Sequence, residues 1–258
     1  VLDRAEHAAR RAERVVEAVQ KVRSAFSDIT EEEEYYIGRA VAAIILSKYR
    51  VYDNAALTQY VNTMGNAVAL FSDRPEIYAG YHFLVLDSDE VNALSAPGGL
   101  IFVTRGLLKR CTDEEMIGLI LAHEIGHVGA KHGLQAIKKS RLTEVFSFLG
   151  KQAIRTWGPA ELAKATVLFE GVLDDIVQQL VVRGYDRGAE LDADALAVRT
   201  AARAGYELAG IQRFLKTMAD EKSTVSGLGW FKTHPSPQQR LEKIADVIAA
   251  AAPHPKID

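Results

Sequence analysis

Leu121-Ala122-His123-Glu124-Ile125-Gly126-His127-Val128 is the stretch whose reading decides the rest of the chain. Its core is HExxH, a pattern whose two histidines suit a zinc site and whose glutamate suits a general base. On a helix, residues four apart share a face and lie about 6 Å apart along the axis. His123 and His127 can therefore offer ring nitrogens to one cation, and Glu124 follows the first of them closely enough to reach a water held on the open side. Histidine is scarce in this chain, so a chance HExxH has a probability of roughly one in a hundred. The alternative is that these are polar residues within an ordinary core helix. From Met116 to Ala130 the segment is apolar or small almost all round, which marks a buried helix. Three polar side chains there need partners, and each one left unsatisfied costs about 1–3 kcal/mol. One cation satisfies all three. Thr112 with Glu115 reads as a capping box at the start of this helix, and Gly133, after Lys131 and His132, reads as its stop.

A chain of 258 residues with 48% hydrophobic side chains can bury a core of one or two domains. Its 31 lysines and arginines nearly balance 34 aspartates and glutamates, so nothing points to a nucleic-acid partner. Cys111 is the single cysteine and cannot form an internal disulfide. No apolar run reaches the 18 or so residues of a spanning helix, so the chain is expected to be soluble. It begins at Val1 rather than Met, so a preceding segment is expected to have been removed, and a signal peptide or an anchor is one reading of that segment.

Asp3 to Phe26 carries Val15, Val19, Val22 and Phe26 at helical spacing and reads as an amphipathic helix on the body. Thr30 with Glu33 opens a second, largely buried helix from Tyr35 to Tyr49, and a third runs from Asn54 to Phe71. Tyr81 to Asp87 reads as a strand, as do Val91-Asn92-Ala93-Leu94 and Leu100 to Thr104, with Ser95 to Gly99 as a turn. Together they predict a small antiparallel sheet that runs directly into the HExxH helix. Val91 to Leu94 is the candidate edge to which an extended substrate could add a strand, with an ordinary paired strand as the alternative. Phe146, Phe148 and Phe169 read as the apolar side of a helical hairpin. Covering the cleft or touching a membrane peripherally are the other readings of that face. Leu208 to Lys222 and Pro237 to Ala251 are two more amphipathic helices.

A catalytic zinc generally takes three protein ligands. The metzincin continuation would need His at 133, where this chain has Gly133. His132 is expected to point away from the ligand face, as a residue of the helix's last turn. That leaves an acid from another helix. Glu190 and Asp194 fall four apart on one face of an Ala-rich segment, so Glu190 can be the third ligand and Asp194 can accept a hydrogen bond from the far nitrogen of a ligand histidine. Asp192 would point elsewhere. His234 lies in a proline-stiffened loop. It is a surface residue, a donor to the developing oxyanion, or a fourth ligand when substrate is absent.

With HEIGH at 123–127, GAELDADALA at 188–197, NALSAPGGLIFVTRGLL at 92–108 and THPSPQQR at 233–240, the chain resembles the zinc endopeptidases related to the CAAX prenyl endopeptidase, HtpX and the periplasmic BepA and LoiP proteases, a gluzincin group. The resemblance covers roughly Tyr81 to Val247. It implies one zinc ion on His123, His127 and Glu190, with Glu124 as catalytic base and acid and Asp194 in support. It further implies Val91, Asn92, Ala93 and Leu94 as the substrate-pairing segment and His234 as a residue able to approach the metal. The spanning helices of the prenyl endopeptidase and HtpX, and the tetratricopeptide domain of BepA, have no counterpart here, which suggests a minimal soluble form. The fold expected is α+β, mostly α: a zincin-like metallopeptidase core with a small antiparallel sheet beside the HExxH helix. Residues 1–80 would be N-terminal helices packed on the core, 81–252 the metallopeptidase core and 253–258 a tail. The function expected is zinc-dependent hydrolysis of unfolded or misassembled polypeptides in the bacterial envelope, periplasmic or lipid-anchored. The alternative is a latent or inactive zinc-bearing chaperone or adaptor.

Overall fold

A computed structural model describes residues 29–139, 184–221 and 237–251. The predicted helix from Asp3 to Phe26, the Phe146, Phe148 and Phe169 face and the His234 loop lie outside the described residues.

Helix α1, Glu31–Lys48, starts at the expected capping box: Thr30 Oγ1 accepts from the Glu33 N–H and the Glu33 carboxylate accepts from the Thr30 N–H. Two of the four orphan amides of a helix start are thereby satisfied reciprocally. Helix α2, Ala55–Ala69, is capped by Asn54, whose side-chain oxygen accepts from the Leu57 N–H.

Strands β1 (His82–Leu86), β2 (Ala93–Ala96) and β3 (Leu100–Thr104) form a sheet of order β1-β3-β2. The sheet is mixed rather than antiparallel throughout: β2 and β3 are antiparallel, β1 and β3 parallel. After β1 the chain crosses to the far side before laying down β2, so the β2–β3 hairpin folds β3 back between them. The hairpin turn is shorter than expected. Gly98 and Gly99 both take positive φ, 70° and 89°, which glycine adopts without steric cost. The bend is therefore confined to Pro97–Gly99, and the second strand slides on to end at Ala96.

Both faces of the sheet are covered, which explains why its strands are apolar on both sides. Successive side chains alternate between faces. Phe83, Val85, Ala93, Ile101 and Val103 join the cluster built with α2 and the HExxH helix. Leu94, Ala96 and Phe102 join the one built with α1, Leu134 and Ile137.

A short helix α3, Arg105–Leu108, leads to α4, Glu114–Gly129, the HExxH helix. Its cap is Asp113, one residue later than predicted, because the Asp113 carboxylate accepts from the Met116 N–H at 2.9 Å while the Thr112 hydroxyl turns to the Met116 sulfur. Its end also differs. α4 stops at Gly129, and Lys131 takes φ 57°, a left-handed conformation that costs a non-glycine residue about 1–3 kcal/mol. The Lys131 ammonium lies 3.2 Å from the buried Glu34 carboxylate of α1, which also bonds Arg74 and the Gly98 N–H. A new helix α5, His132–Lys139, starts from there in a different direction. Helices α6 (Arg187–Arg203), α7 (Ala209–Glu221) and α8 (Pro237–Ala251) complete the fold. α6 lies along α4. α7 packs on α4 and α8, and α8 on α6.

The fit of α1 against the Pro97–Gly99 turn is close enough that a β-carbon at Gly38 would overlap the Pro97 carbonyl. Gly38→Ala is expected to destabilise the protein by about 1–3 kcal/mol, read as a lower urea midpoint. An unchanged midpoint would show that the turn can retreat freely.

Candidate metal centre

The approach of α6 to α4 builds this centre. A β-carbon at Gly126 would lie 3.1 Å from Leu196 Cβ and 3.2 Å from the Ala193 carbonyl, so the glycine inside HEIGH and the small residues of α6 let the two backbones close up. Asp186 caps α6 by accepting from the Ala189 N–H, and one turn on Glu190 is carried onto the histidine pair. His123 Nε2 and His127 Nε2 are 3.0 Å apart. Glu190 Oε2 is 3.5 Å from the first, and Glu190 Oε1 is 3.5 Å from the second. One donor atom from each lies within 4.8 Å of the others, and all three residues are buried. Glu124, on the same turn of α4, is 1% exposed.

The far nitrogens of the two rings are held differently. His123 Nδ1 lies 3.0 Å from Asp194 Oδ1, the arrangement expected for that aspartate. Asp194 in turn is gripped by Arg240 of α8, whose Nε and Nη2 donate to its two oxygens at 2.8 and 2.5 Å. Burial would raise the Asp194 pKa, but the Arg240 charge and the bonds from His123 and Arg240 outweigh it and hold the carboxyl well below its ordinary range. His127 Nδ1 meets His132 Nδ1 at 3.0 Å, and His132 Nε2 lies 3.4 Å from Asp192 Oδ2. His132 therefore does not face away from the candidate donors, because the backbone turns at Lys131 instead of continuing the helix; Asp192, half-exposed and outside the donor group, meets it from α6. The Tyr185 ring stacks on His127, centroids 4.2 Å apart and planes at 22°, and its hydroxyl donates to the Ser95 carbonyl at 3.1 Å.

Within the predicted edge segment, the Thr104 N–H donates to the Asn92 carbonyl at 3.0 Å. The following pair, Ala93–Val103, is thus a non-hydrogen-bonded one, and the alternation makes Ser95–Ile101 another. Ala93 and Ser95 turn their N–H and C=O away from β3 toward the outer side of β2. Leu94 turns its own toward β3. Asn92 and Leu94 are buried, and Val91 is partly so. His234 lies outside the described residues.

The donor set fits a borderline divalent cation such as zinc: two imidazoles and one carboxylate converge, with their outer atoms held. The electrostatics agree. Glu124, Glu190 and Asp194 are all buried, with Arg240 the buried cation among the described residues that faces them, and uncompensated buried charge is costly. Burial, the largest influence on His123, and the Arg240 charge lower its pKa. Hydrogen bonds to Asp194 and Glu190 and the Asp194 charge overcome both and raise it to about 9.

Arg240, His132 and Tyr185 are contributions the sequence reading missed. Arg240 left a signal. It shares a stripe of α8 with Ile244 and Ile248, and a charge on an apolar face implies a buried partner. His132 left none, since its place depends on a break at a lysine.

A helix bearing two histidines and a glutamate, completed by a glutamate from a second helix beside a small sheet, is the core of a zincin-like metallopeptidase. Residues 55–248 match the model of peptidase family M48, and the chain belongs to that family. It is 27% identical over 206 residues to a β-barrel assembly-enhancing protease of Yersinia pestis, covering 80% of this chain and 41% of that one. To the protein of that name in Escherichia coli K12 it is 23% identical over 219 residues, 84% of this chain and 44% of the relative. To the mitochondrial metalloendopeptidase OMA1 of Bos taurus it is 30% identical over 171 residues, 65% of this chain and 32% of the relative. The chain thus spans less than half the length of each of these three.

Replacing Arg240 by methionine leaves the buried Asp194 without its charge partner, at a cost of about 3–5 kcal/mol. Asp194→Asn in that background should recover part of the loss. Two additive destabilisations in urea unfolding would contradict the pairing.

Proposed function

We propose that this chain is a zinc-dependent endopeptidase with one ion held by His123, His127 and Glu190. The observation that carries this reading is the convergence of those three donors beside the buried Glu124. When bound, the metal supplies Lewis acidity that acidifies a water and polarises the scissile carbonyl. The protein's own groups do the rest. Glu124 takes the proton of the attacking water and returns it to the leaving amine nitrogen, a role typically worth roughly 100-fold to 10,000-fold in rate. Asp194, held ionised by Arg240, keeps the His123 proton on Nδ1, so that Nε2 offers its lone pair to the ion. His234 steadies the oxyanion, a role read from sequence alone.

The substrate is an extended polypeptide that adds to the outer side of β2 in the segment from Val91 onward. Backbone pairing of this kind recognises no particular side chain, which suits unfolded or misassembled chains. The names of the bacterial relatives, which tie a protease to β-barrel assembly, support such substrates and a place in the bacterial envelope, periplasmic or lipid-anchored. Among the described residues no helix is long and apolar enough to cross a membrane, and the membrane contact we propose is peripheral.

A second reading is a latent zinc-bearing chaperone or adaptor. It is favoured by one observation, the Tyr185 hydroxyl on the Ser95 carbonyl, an acceptor that a pairing substrate would use. If that contact restrains the enzyme, Tyr185→Phe should raise the cleavage rate severalfold. An unchanged or lower rate assigns the hydroxyl no restraining role.

The decisive experiment measures metal content and cleavage of an unfolded protein together. Wild type should carry stoichiometric zinc and cut, and chelation should stop cleavage and lower the melting temperature. Glu124→Gln should keep the zinc and lose at least about 100-fold in rate. Full turnover by that variant would remove Glu124 from the chemistry, and zinc-loaded wild type that cuts no polypeptide would favour the second reading.

A further inference from the structure

The two candidate ligand rings face the same requirement. A neutral imidazole carries one N–H and one lone pair, and a ring that binds through Nε2 must keep its proton on Nδ1. For His123 the nearer neighbour of Nδ1 is Asp194, at 3.0 Å against 3.4 Å for Arg240 Nη2, and an ionised carboxylate only accepts, which favours the proton on Nδ1. For His127 the choice is not settled by the immediate neighbour. His127 Nδ1 meets another ring nitrogen, His132 Nδ1, at 3.0 Å, and one proton lies between them.

That proton has two candidate owners. If it belongs to His132, then His127 carries its own proton on Nε2, which faces His123 Nε2 and Glu190, and metal is kept out. The same assignment leaves a lone pair on His132 Nε2 pointing at Asp192 Oδ2, 3.4 Å away, two acceptors facing each other. If the proton belongs to His127, its Nε2 presents a lone pair to the centre. His132 then accepts at Nδ1 and carries its proton on Nε2, toward the Asp192 carboxylate. With a cation among His123 Nε2, His127 Nε2 and Glu190, every group has a suitable partner only in the second arrangement.

We propose that Asp192 and His132 form a relay that sets the tautomer of His127, and so are positioning residues for the metal centre. The proposal rests on the reading of His123, His127 and Glu190 as ligands. His132 is 5% exposed, so water is a poor substitute for it. Tyr185 stacked on the His127 ring limits the rotation by which that ring could seek another partner. The centre thus has two supports of different kinds. Asp194 and Arg240 hold one ring from within the core, and His132 with the half-exposed Asp192 holds the other from its outer side.

The test uses the full chain and zinc itself, with apparent affinity read by competition against a chromophoric chelator and with the visible spectrum of the cobalt(II) form. His132→Leu, which removes the acceptor, should weaken zinc binding by about 10-fold to 100-fold and alter the cobalt spectrum. His132→Asn, whose side-chain oxygen can accept near the place of Nδ1, should restore most of the affinity. Asp192→Ala should weaken binding in wild type and add nothing in the His132→Leu background, a coupling that general loosening of the fold would not produce. Should His132→Leu fail to fold, the His132→Asn background takes its place: Asp192→Ala should cost less affinity there than in wild type, because no imidazole connects the carboxylate to His127. Unchanged affinity and spectrum in His132→Leu overturns the proposal, as does a His132→Asn variant no better than the leucine one. Equal losses from Asp192→Ala with and without the histidine overturn the relay. Wild-type protein that takes up no zinc, or takes it up equally well after His123→Ala, overturns the ligand reading beneath it as well.

Discussion

At Gly126 the backbone of α4 meets Ala193 of α6 with no side chain between them, and the donors of the centre are positioned by that contact. The two imidazoles come from a single helix, where the spacing of the backbone places them together. The carboxylate comes from far along the chain and reaches them only because the helices lie so close. A β-carbon at Gly126 would press on Leu196 Cβ at 3.1 Å and on the Ala193 carbonyl at 3.2 Å, so α6 would have to give way slightly. The geometry of the candidate centre is therefore a consequence of packing between two helices rich in small residues.

Around this contact, among the described residues, buried charge is paired at Asp194 with Arg240 and at Glu34 with Arg74 and Lys131. Arg240 and Asp194 form an ion pair inside the core, joining the last described helix to His123. Such pairs contribute little net stability over apolar packing, yet breaking one is costly. Their value is orientation. Glu34 of α1 plays a comparable part at the other end of α4. Its buried carboxylate lies 3.2 Å from the ammonium of Lys131, whose left-handed conformation marks the point at which the chain turns and brings His132 to His127. Helix α1 is thereby connected to the centre through an ion pair, one backbone turn and one hydrogen bond.

Much of the fold was legible because it is locally encoded. The capping box at Thr30 and Glu33, the apolar character of the HExxH helix, and the span Pro237 to Ala251 follow from contacts within a few residues, and they stand as read. The direction of the strands was not legible. Alternating and apolar runs identify strands, but which strand lies between the others depends on a crossover that leaves no local mark. The cap at Asp113 rather than Thr112 shows the limit of pattern at element ends: two adjacent residues could each cap, and the one whose carboxylate reaches the third amide did so.

For the centre, the sequence alone determined the pair His123 and His127, their shared helical face, the adjacent Glu124, and Glu190 and Asp194 as the downstream acids four residues apart. These are matters of spacing along helices. Only the tertiary structure decided that Glu190 meets both rings, that Arg240 grips Asp194, and that His132 turns back toward His127. The physical reason is distance along the chain. Helical geometry relates residues three or four apart, whereas contacts across tens of residues depend on how closely helices pack and on where a backbone departs from regular conformation, as it does at Lys131.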